Sequence, residues 1–254
     1  MTCRSLEDLN EMRQFVEFRF HGDNIGDAGA IAIANALKFH DKVDQMEVRE
    51  SNIGDDGAAA IADALKTNTR VRKMDLRGNN IGDAGATAIA DALKTNTILL
   101  SVALNGNSIG DGGATAIADA LKTNTSIQAL TLGGNNIGDA GATAIADALK
   151  TNTRFALLLL NGNNIGDGGA AAIADALKTN TSVQAVDLRG NNIGDAAAIA
   201  IADALNTNTS VPGLYFRDKD MCGSMRDQID ELCREDQERK DKVQEKKKAE
   251  ENVE

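Results

Sequence analysis

The residues that could carry chemistry are few in this chain and do not converge. The histidines are His21 and His40, on different surfaces, and His40 stands where other copies of a Thr-Asn-Thr turn have Asn, which predicts an exposed turn residue. Cys3, Cys222 and Cys233 are odd in number and sparse, as expected in a reducing compartment. No His, Cys or carboxylate group has metal-ligand spacing. The Asp, Asn and Gly of GNNIGDAG resemble a calcium loop in composition but lack its spaced ligands and closing Glu. No Gly-rich phosphate loop ends in Lys-Ser or Lys-Thr. Asp55 and Asp56 could in principle do acid-base work, but they fall at a helix start, where carboxylates meet unpaired amide protons. No catalytic residue, metal, cofactor or small-molecule substrate is therefore expected.

The formal net charge of −11 comes mostly from copy number, since a middle unit such as 109–136 carries Asp111, Asp119 and Lys122. An acidic surface excludes non-specific binding to nucleic acid or anionic membrane. Lys246, Lys247 and Lys248 form a short basic run between acidic neighbours. No apolar run reaches transmembrane length, and MTCRSLEDLNEM lacks the basic-then-apolar order of a signal peptide, so a cytoplasmic protein is expected.

The elements that would position any site come from a repeat. IGDAGATAIADALKTNT at 81–97 returns as IGDGGATAIADALKTNT at 109–125, again at 137–153, and as IGDGGAAAIADALKTNT at 165–181, with looser copies from Ile25, Ile53 and Ile193. A fixed period means a solenoid, in which each unit buries its apolar side against its neighbours. Within 71–98, Met74 and Leu76 alternate with Asp75, the period of a half-buried strand. Asp83 is placed to cap the helix that follows it. Ala86, Ile89, Ala90 and Leu93 make an inward stripe, with Thr87, Asp91 and Lys94 opposite. Asn96 suits a left-handed reversal after the helix.

Eight strands follow, at Phe18/Phe20, Met46/Val48, Met74/Leu76, Val102/Leu104, Leu130/Leu132, Leu158/Leu160, Val186/Leu188 and Leu214/Phe216. Helices stack about 10 Å apart and strands about 4.8 Å, so the stack should curve into a horseshoe with a parallel β-sheet on its concave face and α-helices on its convex face. The expected divisions are an N-terminal capping helix over 1–14, an α/β solenoid of about seven repeats over 15–220, and a C-terminal capping helix with a charged helical tail over 221–254. Met225, Ile229 and Leu232 supply the apolar stripe of that last helix.

LLSVALNGNSI (99–109) and FALLLLNGNNI (155–165), each followed by a full helix, resemble the leucine-rich repeats of the ribonuclease-inhibitor-like subtype. The resemblance implies that Asn79, Asn107, Asn135, Asn163 and Asn191 point inward and bond the backbone of adjacent turns. It also implies a non-catalytic domain that binds a protein partner on its concave face, in a cytosolic, cytoskeletal or ciliary assembly. Two other activities occur among similar proteins: regulation of a small GTPase, as in the Ran GTPase activators, and capping of actin filaments, as in tropomodulin.

Comparing the copies with one another separates scaffold from message. The helical face is nearly constant: Asp63, Asp91, Asp119, Asp147, Asp175 and Asp203 form one column. The outward strand positions vary freely, from an ionic N-terminal zone through a plain centre to an apolar and Arg-rich end. The candidate partner-binding residues are Arg49, Asp75, Arg77, Leu157, Leu159, Asp187, Arg189, Tyr215 and Arg217. Exposed Leu beside Tyr and Arg has the composition of an interface hot spot.

Overall fold

A computed structural model of the chain describes residues 2–3, 5–6, 16–208 and 213–215. The chain divides into two compact units, Met1–Asp218 and Lys219–Glu254. Strands and helices alternate through the first: β1 (Thr2–Cys3), β2 (Glu17–His21), α1 (Gly26–Leu37), β3 (Gln45–Arg49), α2 (Asp55–Thr67), β4 (Lys73–Asp75), α3 (Asp83–Leu93), β5 (Ser101–Ala103), α4 (Asp111–Leu121), β6 (Ala129–Thr131), α5 (Asp139–Leu149), β7 (Leu157–Leu159), α6 (Asp167–Leu177), β8 (Ala185–Asp187), α7 (Asp195–Thr207) and β9 (Gly213–Tyr215).

All described strands form one parallel sheet in sequence order, β1 to β9. Register is constant: Gln45 pairs Lys73, which pairs Ser101, then Ala129, Leu157, Ala185 and Gly213. Among the described residues the sheet thus has nine strands rather than eight. The extra one is Thr2–Cys3, which pairs with Glu17 and Phe18 at the first edge. A strand, not a helix, therefore occupies the start of the segment expected to form a capping helix, and satisfies edge backbone groups that a helix would only have shielded. Residues 7–14 of that expected helix lie outside the described residues, as do Met225, Ile229, Leu232 and the charged tail.

The core lies between the sheet and the helices. Met74, Leu76 and Ile81 from one repeat, and Ala86, Ile89, Ala90 and Leu93 from its helix, are all buried. Ala92 is buried as well, so the helices meet flank to flank on alanine. Each three-residue strand carries one core-facing side chain, such as Met74, with a second just past its end, such as Leu76, and the hydrophobic burial of one repeat is completed by its neighbours.

Polar ladders lock the repeats together. The Asn79 Nδ2 group donates to the carbonyls of Val48 (2.7 Å) and Leu76 (2.9 Å), and its Oδ1 accepts from the amides of Ser51 (3.1 Å) and Ile53 (3.0 Å). Asn107, Asn135, Asn163 and Asn191 make the same reach back to the preceding repeat. A second Asn ladder runs along the turns after the helices. Asn96 Nδ2 donates to Leu65 O at 2.7 Å, and its Oδ1 accepts from the amides of Ile98 and Leu99, both at 2.8 Å. Asn124, Asn152 and Asn180 repeat it, all buried. Asn96 is thus not a left-handed cap. The described non-glycine residues with positive φ are Asn24, Glu50 and Asn52. Its side chain turns the chain instead, by bonding the backbone two and three residues ahead.

The Asp at each helix start also acts across repeats. Asp83 does not cap α3. Its Oδ1 accepts from Gly110 N (2.7 Å) and Gly113 N (2.9 Å) at the start of α4, while α3 is capped by Asp55 through Gly82 N (2.7 Å) and Gly85 N (2.9 Å). The second glycine of each pair must be bare: a Cβ on Gly113 would lie 2.8 Å from Ala86 Cβ and 2.9 Å from Asp83 Oδ1. In α7 this position is Ala197, and Asp167 bonds Gly194 N (2.6 Å) without a matching bond to residue 197.

His40 closes the first turn from inside. It is buried, and its ring stands edge-on to Phe18 with centroids 5.3 Å apart. The exposed turn residue expected here is in fact a packing residue. The Asn column it belongs to is itself buried, so its position in the repeat decides its environment.

Candidate interaction face

Alternation along each strand carries one set of side chains into the core and the other to the outer face of the sheet. On the N-terminal strands the outer set is a chain of ion pairs. Arg19 Nε lies 3.1 Å from Glu17 and 3.9 Å from Glu47; Arg49 reaches Glu47 (3.0 Å) and Asp75 (2.7 Å); Arg77 reaches Asp75 (2.7 Å). The Asp75 hydrogen bonds hold the Arg77 guanidinium above its ordinary pKa, although partial burial opposes this. His21 Nε2 lies 3.2 Å from Glu50, both exposed. Arg19, His21 and Arg49 line a shallow depression with Phe20, Asp23 and Glu47. Its cations already face carboxylates, so it offers no preformed anion site.

The same Asp-x-Arg arrangement recurs near the other end. Arg189 Nη2 donates to Asp187 Oδ2 at 2.7 Å and its Nε to Oδ1 at 2.9 Å. The Asp187 side chain is only 4% exposed and that of Arg189 14%. Removing one member of so buried a pair typically costs about 3–5 kcal/mol, because the other charge is stranded. Asp187 and Arg189 are therefore part of the framework as well as of the face. Asp75 is likewise nearly buried, beneath Arg49 and Arg77.

Between the two charged zones the face is plain. Thr131 donates its hydroxyl to the Asn105 amide oxygen. Asn161 lies across Gly133, its Oδ1 2.5 Å from where a Cβ on that glycine would sit. Leu159 is half-buried and pairs with Asp187 and through it with Tyr215.

Leu157 departs from its expected exposure. It alternates outward with Leu159, yet only 2% of it is accessible. Ser101, Ala129 and Ala185 in the same row are buried too, as are Leu100, Gln128 and Ala156 one step earlier. Leu157 belongs to a closed band along the sheet, and outward direction alone does not give access. The expected patch thus contracts to Leu159 and the Asp187–Arg189 pair, with the Tyr215 backbone one strand beyond. Arg217 lies outside the described residues.

The helical face carries the opposite signature. Lys94 pairs with Asp91 (2.8 Å), Lys122 with Asp119 (2.7 Å), Lys150 with Asp147 (3.3 Å) and Asp175 (3.4 Å), and Lys178 with Asp203 (2.9 Å). These partners raise the lysine pKa values and lower that of Asp91. The surplus Asp of each repeat is the one whose carboxylate sits on the next helix's amide protons, at the positive end of its dipole. Part of the net negative charge thus has a structural role, on carboxylates that hold the start of the next helix.

Among the described residues no cluster of three His, Cys, Asp or Glu could hold a metal ion, and no helix is long and apolar enough to cross a membrane. The two ladders that sequence reasoning missed or misdirected, Asn96-type and Asp83-type, leave one signal in the sequence. The Asp recurs without change, and the Asn in every copy after His40, where the outer strand positions vary.

The family model described as "Leucine Rich repeat" matches residues 67–90, 95–118, 123–146, 158–174 and 179–202. No curated protein matches the sequence. Among solved structures, the chain is similar to actin-binding site 2 of leiomodin-1, with 23% identity and a TM-score of 0.49 over 76% of this chain and 96% of that one. It is also similar to the C-terminal domain of tropomodulin from Caenorhabditis elegans, with 15% identity and a TM-score of 0.44 over 61% of this chain and 94% of that one.

Proposed function

The chain is a leucine-rich repeat protein of the ribonuclease-inhibitor-like type, and on that premise we propose that it is a non-catalytic scaffold whose protein partner docks on the outer face of the sheet. The observation that carries this reading is the contrast between the two faces. Side chains of the helical face repeat and neutralise one another, whereas the outer sheet positions run from Arg49, Asp75 and Arg77 through Asn105 and Gly133 to Leu159, Asp187 and Arg189. A surface that differs at every step can define one partner and one register; a surface that repeats cannot.

The closer spacing of strands than of helices makes this face concave. Nine strands at about 4.8 Å span roughly 38 Å, enough for a helix or a small domain. Leu159 is the apolar anchor. The Asp187–Arg189 pair beside it keeps its guanidinium fixed, and a preorganised cation loses little entropy on binding. Arg49 and Arg77 set orientation from the far zone. We place the protein in the cytoplasm, with no nucleic-acid, membrane or small-molecule ligand.

The test compares the proteins that co-purify from the source cell with the wild type, with Leu159→Asp and with Asp91→Ala. Leu159→Asp should lose a partner that Asp91→Ala retains, while both keep the wild-type circular dichroism. A partner lost with Asp91→Ala alone would place the working surface on the helices. Stimulated GTP hydrolysis or altered actin-end kinetics by the purified chain would instead favour a GTPase regulator or a filament cap.

A further inference from the structure

Asn105–Gly106 and Asn161–Gly162 are the two Asn–Gly steps in the chain, and they occupy the same place in their repeats. Such a step is prone to a spontaneous reaction. The glycine nitrogen attacks the Asn Cγ and gives up its proton to solvent, the amide C–N bond breaks and ammonia leaves. Water then opens the resulting succinimide at either carbonyl, leaving aspartate or isoaspartate. No other reactant is needed.

In the folded chain both attacking nitrogens are engaged. Gly106 N–H donates to Gly133 O at 2.8 Å, and Gly162 N–H to Arg189 O at 2.7 Å, each a bond to the following repeat. Both glycines are left-handed, at φ +64° and +65°. The Asn161 side chain is held across Gly133 of the preceding repeat, and the Asn105 amide oxygen takes the Thr131 hydroxyl. Neither step can react until a neighbouring repeat separates.

We propose that Asn161 is a modification site gated by opening of the C-terminal repeats, converting by deamidation well before Asn105. Two differences select it. Its gating bond runs to the repeat of β8 and α7, next to the end of the array, and linear arrays open most easily from their ends. The start of α7 is also held by one carboxylate bond fewer, because Asp167 bonds Gly194 N alone where Asp139 bonds both Gly166 and Gly169. Asn105 sits mid-array and carries the extra bond from Thr131. Isoaspartate lengthens the backbone by one carbon, so the Gly162–Arg189 bond cannot re-form in register. A transient opening then becomes permanent.

The experiment incubates the purified full chain in mildly alkaline buffer and maps both peptides by mass spectrometry, with the urea-unfolded chain as the ceiling. In urea the two steps should convert at similar rates. In the native chain Asn161 should convert more slowly than in urea, and about tenfold or more faster than Asn105, the ratio that a difference of ~1.4 kcal/mol in opening gives. Leu177→Ala, which loosens α6, should speed Asn161 more than Asn105, and Thr131→Val should speed Asn105 alone. Equal native rates at the two sites, a native rate for Asn161 equal to that in urea, no conversion of Asn161 once the urea sample is complete, or indifference of Asn161 to Leu177→Ala would each overturn the proposal.

Discussion

Adjacent glycines at the start of α4 should respond to alanine with opposite signs. Gly112 is exposed and Gly113 buried. A Cβ on Gly113 would meet Ala86 Cβ at 2.8 Å and Asp83 Oδ1 at 2.9 Å on the neighbouring helix, and Ile109 Cγ2 at 2.9 Å just before α4 itself. Overpacking of this kind costs about 1–3 kcal/mol. Displacing Asp83 from Gly113 N and straining its bond to Gly110 N removes a cap worth about 1 kcal/mol. Against these, alanine stabilises by about 0.4–1 kcal/mol through the unfolded chain. Gly113→Ala should therefore destabilise by roughly 1–3.5 kcal/mol. At Gly112 the three atoms nearest an added Cβ all belong to the Asp83 side chain, the closest its Oδ2 at 2.9 Å, and Ala84 and Ala140 already occupy that place in neighbouring repeats. Gly112→Ala should be neutral or stabilise by up to about 1 kcal/mol. Urea unfolding followed by far-ultraviolet circular dichroism reads both. Equal shifts of the two variants, or a Gly113→Ala midpoint at or above wild type, would refute the inter-repeat capping argument.

Asn152→Ala should cost about 3 kcal/mol or more in the same assay, because it strands the carbonyls of Leu121 and Asn124 and the amides of Arg154 and Phe155 in a buried turn. Asn135→Ala should cost a similar amount by the same logic on the sheet side. Asp44 has its pKa raised from 3.8 by burial and then by the nearby Glu17, against the pull of Arg72 and Lys73. Since the folded form holds its proton more tightly than the unfolded one, Asp44 lowers stability as pH rises above 3.8 through its folded value. Asp44→Asn should thus stabilise at neutral pH, with the gain vanishing in acid, as read from melting temperatures across a pH series.

Much of the fold was legible because period two and period 3.6 alternate so cleanly in each repeat. Met74 and Leu76, then Ala86, Ile89, Ala90 and Leu93, announce their burial by spacing alone. The direction of the polar ladders was not legible, and the repetition itself is the reason. When every repeat carries the same Asp before the same helix, the sequence is identical whether Asp83 caps α3 or α4, and only the distances to Gly110 and Gly113 decide. His40 was misplaced for a related reason, since a Thr-Asn-Thr turn looks polar until its Asn is seen to be buried. At the candidate face, alternation gave the outward direction of Leu157 and Leu159 but not their access. Accessibility depends on what lies alongside, and the neighbouring row at Leu100, Gln128 and Ala156 is closed.

The forward reach of the Asp carboxylates gives the array a polarity in time. Asp55 serves the start of α3, Asp83 that of α4, and so on to Asp167 and α7. A chain emerging from the ribosome N-terminus first presents each new helix to a finished neighbour whose carboxylate is already waiting. Nucleating a helix is its costly step. Here that step can be templated in the direction of synthesis, and a repeat whose predecessor had misfolded would lack the template.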